Sequence, residues 1–161
     1  MGVLENTGSA NQNQEMFITQ LYNALQGIET GGLQGDDRYI RATYRKNPET
    51  GEFDTPPPGG STAYGPLQIT SGPGSMMRNI AADKDYFRNE MGLTDTDFEY
   101  IDKYIAQGQK FLDYGYTDMI PGMEHYDYGQ AGELTSKADQ SSYDRIARKI
   151  LKFQWEDQAG G

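Results

Sequence analysis

Hydrophobic side chains recur at helical spacing along four stretches of the chain. In residues 13–29, Ile18, Tyr22 and Leu25 follow at intervals of four and three, which predicts an amphipathic helix that ends at Gly31-Gly32. Three more helices are predicted in the same way: residues 74–91 with Met77, Ile80, Phe87 and Met91; a helix from Thr94 with Phe98, Ile101, Ile105 and Leu112; and residues 141–155 with Tyr143, Ile146, Ile150 and Phe153. The Thr94 hydroxyl is expected to cap its helix, with Asp97 in the N3 position.

A different period appears between residues 38 and 45. Ile40, Ala42 and Tyr44 alternate there with polar residues, which is typical of a half-buried strand. Residues 47–51 have the composition of a turn, and residues 52–55 could return antiparallel. Residues 113–139 are rich in Gly and Tyr and predict a long functional loop. The predicted fold class is therefore α+β, mostly α, with one small β-hairpin near the Glu29 end of the first helix.

Glu29 is the residue that the first helical stripe reaches after Leu25. Its carboxyl is therefore expected to point toward the core, where apolar neighbours and the partial negative charge of a helix C-terminus both favour the protonated form. A carboxyl that keeps its proton can donate it to a glycosidic oxygen, so Glu29 is a candidate general acid. The alternative interpretation is an ordinary solvated glutamate before a glycine cap.

Length and charge limit the other possibilities. The 161 residues suit one domain, predicted at residues 13–155 between a flexible N-terminal segment, 1–12, and a flexible C-terminus, 156–161. With 14 Lys and Arg against 24 Asp and Glu, the net charge of -10 argues against nucleic acid or an anionic membrane as partner. The sequence also lacks a long apolar run and the pattern of an export signal, so we expect no membrane span and no signal peptide of its own.

Several common types of catalytic, phosphate-binding and metal-binding site require residues that this sequence lacks. His125 is the only histidine, and no G-x-S-x-G motif is present, which argues against a Ser-His-Asp site. Residues 72–75 lack the lysine of a phosphate loop, and the acidic clusters at 36–37 and 95–97 lack calcium-loop spacing. No metal and no cofactor are predicted.

One constellation resembles a known family. Glu29 with its glycine-rich exit, followed by Ser61-x-Ala63-x-Gly65-x-x-Gln68-Ile69, is similar to the lytic transglycosylase branch of the lysozyme-like superfamily. The resemblance covers about residues 13–70. The Ser-Thr-Ala-Tyr-Gly-Pro form of the motif is most similar to virion-associated cell-wall lysozymes of tailed bacteriophages. Thr30 stands where the family has a serine, and the family's Ala-Tyr-Asn motif has its nearest counterpart at residues 127–129.

The resemblance implies a set of roles. It implies a lysozyme-like fold, peptidoglycan as substrate, Glu29 as acid and base, and Ser61 and Gln68 as cleft-lining residues. Tyr143 could match the family's late cleft tyrosine. Tyr64 and Tyr128 are further candidates for substrate binding, because an amphipathic ring can cover a sugar face while its hydroxyl stays hydrogen-bonded.

The leading functional hypothesis is a lytic transglycosylase with a single catalytic glutamate. It would cleave the β-1,4 bond between N-acetylmuramic acid and N-acetylglucosamine, acting on the bacterial wall from a phage virion or a host lysate. Its partners would be peptidoglycan glycan strands and other virion proteins. The alternatives are a hydrolytic muramidase, a chitin-type glycosidase and a non-catalytic, wall-binding structural virion module. A muramidase would use a second carboxylate, for which the nearest candidates are Asp36, Asp37, Glu52 and Asp54.

Overall fold

The structure, a computed structural model, describes residues 2–39, 49, 62–114, 134 and 136–160. This part of the chain is mostly helical, as predicted. Its elements, in chain order, are α1 (Gly2–Thr30), a 3-10 helix (Gly35–Arg38), α2 (Met76–Ala82), α3 (Lys84–Met91), α4 (Asp95–Tyr114) and α5 (Lys137–Gly160). The predicted hairpin and most of the predicted loop over residues 113–139 lie outside the described residues. The extended pairing in the described part is one antiparallel bridge, between Tyr64 and Ile69.

The helix boundaries differ from the predicted ones at several points. α1 begins at Gly2, so the residues predicted as a flexible lead continue the helix. α4 ends at Tyr114 and α5 begins at Lys137, so both ends of the predicted loop are helical, and α5 runs through the predicted flexible C-terminus to Gly160. The helix predicted at residues 74–91 is two helices, because Asp83 has a non-helical backbone (φ -142°, ψ 64°). The apolar stripe continues across this break, which is why periodicity alone did not reveal it.

The start of α4 carries the predicted cap. The Asp97 backbone N–H donates to the Thr94 hydroxyl at 3.2 Å, and the Thr94 N–H donates to the Asp97 carboxylate at 2.9 Å. Asp97 is fully buried and also pairs with Arg145 at 2.6 Å and Lys149 at 3.2 Å, both on α5. Burial alone would raise the pKa of Asp97, but these hydrogen bonds and cations outweigh it and hold the pKa below its ordinary value. The cap therefore also joins α4 to α5.

The core lies where these helices meet. Each predicted stripe contributes fully or nearly fully buried side chains, namely Ile18, Tyr22, Met77, Ile80, Phe98, Ile101, Tyr143, Ile146 and Ile150. Leu112 is 38% exposed, so the apolar stripe of α4 is no longer buried in the last turn of the helix. Asp144 on α5 accepts hydrogen bonds from the Tyr22 hydroxyl at 2.5 Å and the Tyr39 hydroxyl at 2.7 Å. Burial and these bonds raise the pKa of both phenols, which keep their protons and fasten α1 and residue 39 to α5.

Candidate functional site

A cavity of about 290 Å³ opens between the end of α1, the segment after residue 64, and α5. Glu29 is the only ionisable side chain among the described residues that line it. The polar lining also includes Gln68, Thr70 and Gln154, and the apolar lining consists of Leu25, Leu67, Ile69, Met76, Ala147, Ile150 and Leu151. One carboxyl group, a few neutral hydrogen-bonding groups and an apolar surface are the features of a site that binds a polar organic ligand.

Glu29 occupies the last turn of α1. The helix ends because Gly31 and Gly32 have positive φ angles of 66° and 86°, and the Gly32 N–H donates to the Gly27 carbonyl at 3.2 Å. This is the Schellman pattern that glycine permits most readily. The prediction that the carboxyl is buried is wrong, because the Glu29 side chain is exposed. It shares the cavity lining with Leu25, one turn earlier, so the stripe has the predicted register but reaches an open cavity rather than packed core.

Another part of the cavity lining comes from residues 67–70, which belong to the segment 64–70 that we call the floor segment. Tyr64 and Ile69 exchange backbone hydrogen bonds of 3.2 and 3.1 Å, and residues 65–68 form the tight turn between them. Gln68 has a positive φ of 48°, and both its backbone N–H and its side-chain amide donate to the Gly65 carbonyl at 2.9 Å. The turn therefore fixes the position of Gln68 beside the cavity.

Two tyrosines of neighbouring helices hold the floor segment from beneath. The Tyr143 hydroxyl on α5 donates to the Tyr64 carbonyl and accepts from the Leu67 N–H, both at 2.9 Å. The single proton of the Tyr104 hydroxyl on α4 is shared between the carbonyls of Ile69, the nearer acceptor, and Tyr64. Burial raises the pKa of Tyr143 well above its ordinary value, so its hydroxyl keeps the proton that it donates.

Gly65 is required by this arrangement. Its φ of 80° lies in the left-handed region, and a Cβ added there would lie 2.5 Å from the Tyr143 ring. The absence of a side chain lets the backbone of the floor segment approach the ring closely enough for the Tyr143 hydrogen bonds to form. The glycine of the sequence motif thus has a packing function here.

The predicted site residues have different locations in the structure. Gln68 and Glu29 line the same cavity. Tyr64 and Tyr143 are fully buried, so neither ring has a face available to a sugar, and the prediction that they contact substrate is not supported by their positions. Tyr64 packs edge-on against Tyr104 and Tyr143, with ring centroids 5.9 and 6.3 Å apart. Ser61 and Tyr128 lie outside the described residues.

The candidates for a second carboxylate are only partly described. Asp36, in the 3-10 helix, accepts from Lys137 at 2.9 Å and from Gln140 at 3.1 Å, and the hydrogen bond from Lys137 is the main reason that the pKa of Asp36 is lowered. Asp36 and Asp37 are exposed, and neither lines the cavity. Glu52 and Asp54 lie outside the described residues.

Sequence reasoning missed Gln154, Thr70 and the supporting role of Tyr104. Gln154 follows Ile150 by four residues, so it continues an apolar stripe with a polar side chain, as Glu29 does after Leu25. That shared signal could have identified Gln154. Tyr104 gave no comparable signal, because its partners lie 35 and 40 positions away in the sequence.

Metal binding and membrane insertion are two other functions that these residues could have. In the described ranges, no three His, Asp or Glu side chains converge as metal ligands. Each of the described helices is too short or too polar to cross a membrane. In comparisons of sequence and fold, the chain matches no family model, no curated protein and no solved structure.

Proposed function

We propose that this protein cleaves peptidoglycan glycan strands at the β-1,4 bond between N-acetylmuramic acid and N-acetylglucosamine, as a lytic transglycosylase. The observation that carries this proposal is that Glu29 and Gln68, the acid and the cleft glutamine of the sequence resemblance, come from distant parts of the chain and line one cavity. The proposed setting is a phage virion or a host lysate, with glycan strands and other virion proteins as partners.

In the proposed mechanism one carboxyl group acts twice. Glu29 donates its proton to the glycosidic oxygen as the bond to N-acetylmuramic acid breaks. The resulting carboxylate then takes the proton of that sugar's 6-hydroxyl, whose oxygen closes a 1,6-anhydro ring. A sugar seated in the cavity would displace water from the exposed carboxyl, which strengthens its interaction with the reacting atoms. Gln68 and Gln154 can each donate to and accept from sugar hydroxyl and acetamido groups.

The experiment compares muropeptides released from purified peptidoglycan by the wild type and by Glu29→Gln. The amide keeps the size and shape of the side chain but cannot donate or accept the catalytic proton. We expect wild-type products lighter by one water than hydrolytic ones, and a rate reduced by about 10²–10⁴-fold in the variant. Glu99→Gln, which changes an exposed glutamate on α4, is the matched control and should keep full activity.

Other products would change or overturn the proposal. Reducing-end products would indicate the hydrolytic muramidase and direct the search to a second carboxylate. Full activity of Glu29→Gln, with an unchanged unfolding curve, would overturn Glu29 as the acid. Release of products from peptide-free chitin oligomers, with intact walls untouched, would indicate the chitin-type glycosidase.

A non-catalytic wall-binding module is the second candidate, and one observation favours it. An exposed glutamate carries no burial penalty, so its presence at the end of α1 does not by itself require a catalytic role. Retention on insoluble peptidoglycan without any soluble product, in both the wild type and Glu29→Gln, would support this candidate over the enzyme.

A further inference from the structure

A pair of exposed aromatic rings lies where the outer parts of α1 and α5 meet. Phe17 and Trp155 are 40% and 42% exposed, and their ring centroids are 4.7 Å apart at an interplanar angle of 43°. With Asn11, Asn13 and Gln14 they line a second cavity, of about 450 Å³, which we call the aromatic cavity. Exposed apolar side chains that lie together in a patch mark binding surfaces more often than single exposed apolar residues do.

The lining of the aromatic cavity selects a class of ligand. It combines two rings with three primary amides, and none of these five side chains is ionisable. Within the part of the chain that the structure describes, the side-chain amides of Asn11 and Asn13 make no hydrogen bond. Each amide offers both donors and an acceptor, which suits hydroxyl and acetamido groups.

The surrounding charge argues against an anionic ligand. The amide of Gln14 donates to the carboxylate of Glu156 at 3.2 Å, so a negative charge lies directly beside the aromatic cavity. The whole chain carries a net charge of -10. A ligand for this cavity therefore needs an apolar face, many neutral hydrogen-bonding groups and no negative charge, and a neutral amino sugar has these properties.

We infer that the aromatic cavity is a second carbohydrate site, which binds neutral N-acetylhexosamine units apart from the Glu29 cavity. Phe17 precedes Glu29 by 12 positions on α1, which corresponds to about 18 Å along the helix axis. On α5, Gln154 lines one cavity and Trp155 the other, and consecutive side chains of a helix point to different faces. Only the choice of substrate class rests on the proposed function, in which a long glycan strand could occupy both the Glu29 cavity and the aromatic cavity.

Trp155 provides a direct test, because it is the only tryptophan in the chain. Its emission would be followed while peptide-free N-acetylglucosamine oligomers are added to the Glu29→Gln variant, in which turnover should be slow. We expect a saturable change with a Kd in the millimolar to micromolar range. Phe17→Ala should weaken binding by about 5- to 10-fold, because the second ring face is lost.

Two further variants keep the test independent of folding. Phe17→Leu retains an apolar side chain in the contact between the helices but removes the ring, and it should weaken binding nearly as much as Phe17→Ala. Tyr86→Ala removes a ring that is 48% exposed on α3 and should leave the titration unchanged. Equal weakening by Tyr86→Ala would contradict the assignment of the sugar to this cavity.

The remaining outcomes separate this inference from the proposed function. The absence of a saturable change in emission would overturn the inference. A change in emission that depends on protein concentration in the absence of sugar would also overturn it, and would identify a second copy of the chain as the occupant. A clear titration together with a failure to cleave peptidoglycan would sustain the site while refuting the enzyme. If cleavage depends on Glu29 but the emission of Trp155 does not change when sugar is added, the second site is refuted and the proposed function is not.

Discussion

The floor segment and the end of α1 face the same cavity but present their polar groups differently. In the floor segment, backbone groups of Tyr64, Leu67 and Ile69 are held by tyrosine hydroxyls that are buried beneath the cavity. At the end of α1, the carboxyl of Glu29 reaches solvent. One side of the cavity is therefore fixed by packing, whereas the other side carries an exposed carboxyl group. Substitutions that disturb the floor segment should therefore lower stability, whereas substitution of Glu29 should leave stability nearly unchanged and, under the proposed function, lower activity.

Gly65→Ala should have the largest effect on stability. The added Cβ would meet the Tyr143 ring, and the left-handed backbone would be strained, so we expect a loss of about 3 kcal/mol in the free energy of unfolding. Urea denaturation followed by circular dichroism measures this loss. Gly72→Ala is the control, because a Cβ there finds its nearest neighbour at 3.8 Å. Equal stability of the two variants would mean that the floor segment tolerates displacement.

Asp97→Asn tests how much stability comes from the ion pairs that join α5 to α4, the helix that carries Tyr104. The change removes both ion pairs to α5, but Arg145 and Lys149 are 41% and 27% exposed and can be rehydrated, so we expect a loss of about 2 kcal/mol. Urea denaturation at neutral pH measures it. Asp95→Asn, at an 86% exposed side chain nearby, should change stability much less.

The pH dependence of the same variant gives a second measurement. The folded-state pKa of Asp97 lies below its ordinary value of 3.8, so its contribution to stability is complete above that pH and is lost as the pH falls toward the folded-state pKa. Unfolding free energies between neutral pH and about pH 3 should therefore fall less steeply in Asp97→Asn than in the wild type. Identical slopes would show that other carboxylates account for the acid sensitivity.

Tyr143→Phe removes one hydroxyl that bonds two groups of the floor segment. The Leu67 N–H loses its acceptor and the Tyr64 carbonyl loses a donor, so we expect a loss of about 1–2 kcal/mol. Peptidoglycan cleavage should also fall, because Gln68 follows Leu67 directly. Tyr86→Phe, at an exposed ring, is the control for both measurements. Unchanged stability would show that water replaces the lost hydrogen bonds.

Glu29→Gln should have the smallest effect on stability, within about 0.5 kcal/mol, because the side chain is exposed. It is also the variant with the largest expected loss of activity. Thermal unfolding alongside the cleavage assay measures both quantities on the same sample. A large loss of stability in this variant would remove the contrast between the two sides of the cavity.

Local patterns predicted the helices better than the site. The Thr94 and Asp97 cap was predictable because both partners lie within one helical turn, and the buried stripes followed from helical periodicity. Tyr64 was assigned to a sugar-binding surface because tyrosine suits a sugar face. Tyr143 was assigned to the cleft by the family resemblance, although the helical stripe also placed it among the core residues of its helix. The burial of Tyr64 depends on its contact with Tyr143, 79 positions away, which no local pattern contains. The exposure of Glu29 likewise depends on where the packed core ends.

The hydrogen bonds of the floor segment have a consequence for the order of folding. They join Tyr64 and Leu67 to Tyr143 across 79 and 76 positions, and Ile69 to Tyr104 across 35. Contacts this distant require the closure of long loops, which is entropically unfavourable and slow compared with the formation of a helix. Helices α1 and α4 can therefore form early, whereas the cavity is completed only when α5 docks. On the ribosome, the site would not exist until α5 has been synthesised and can dock.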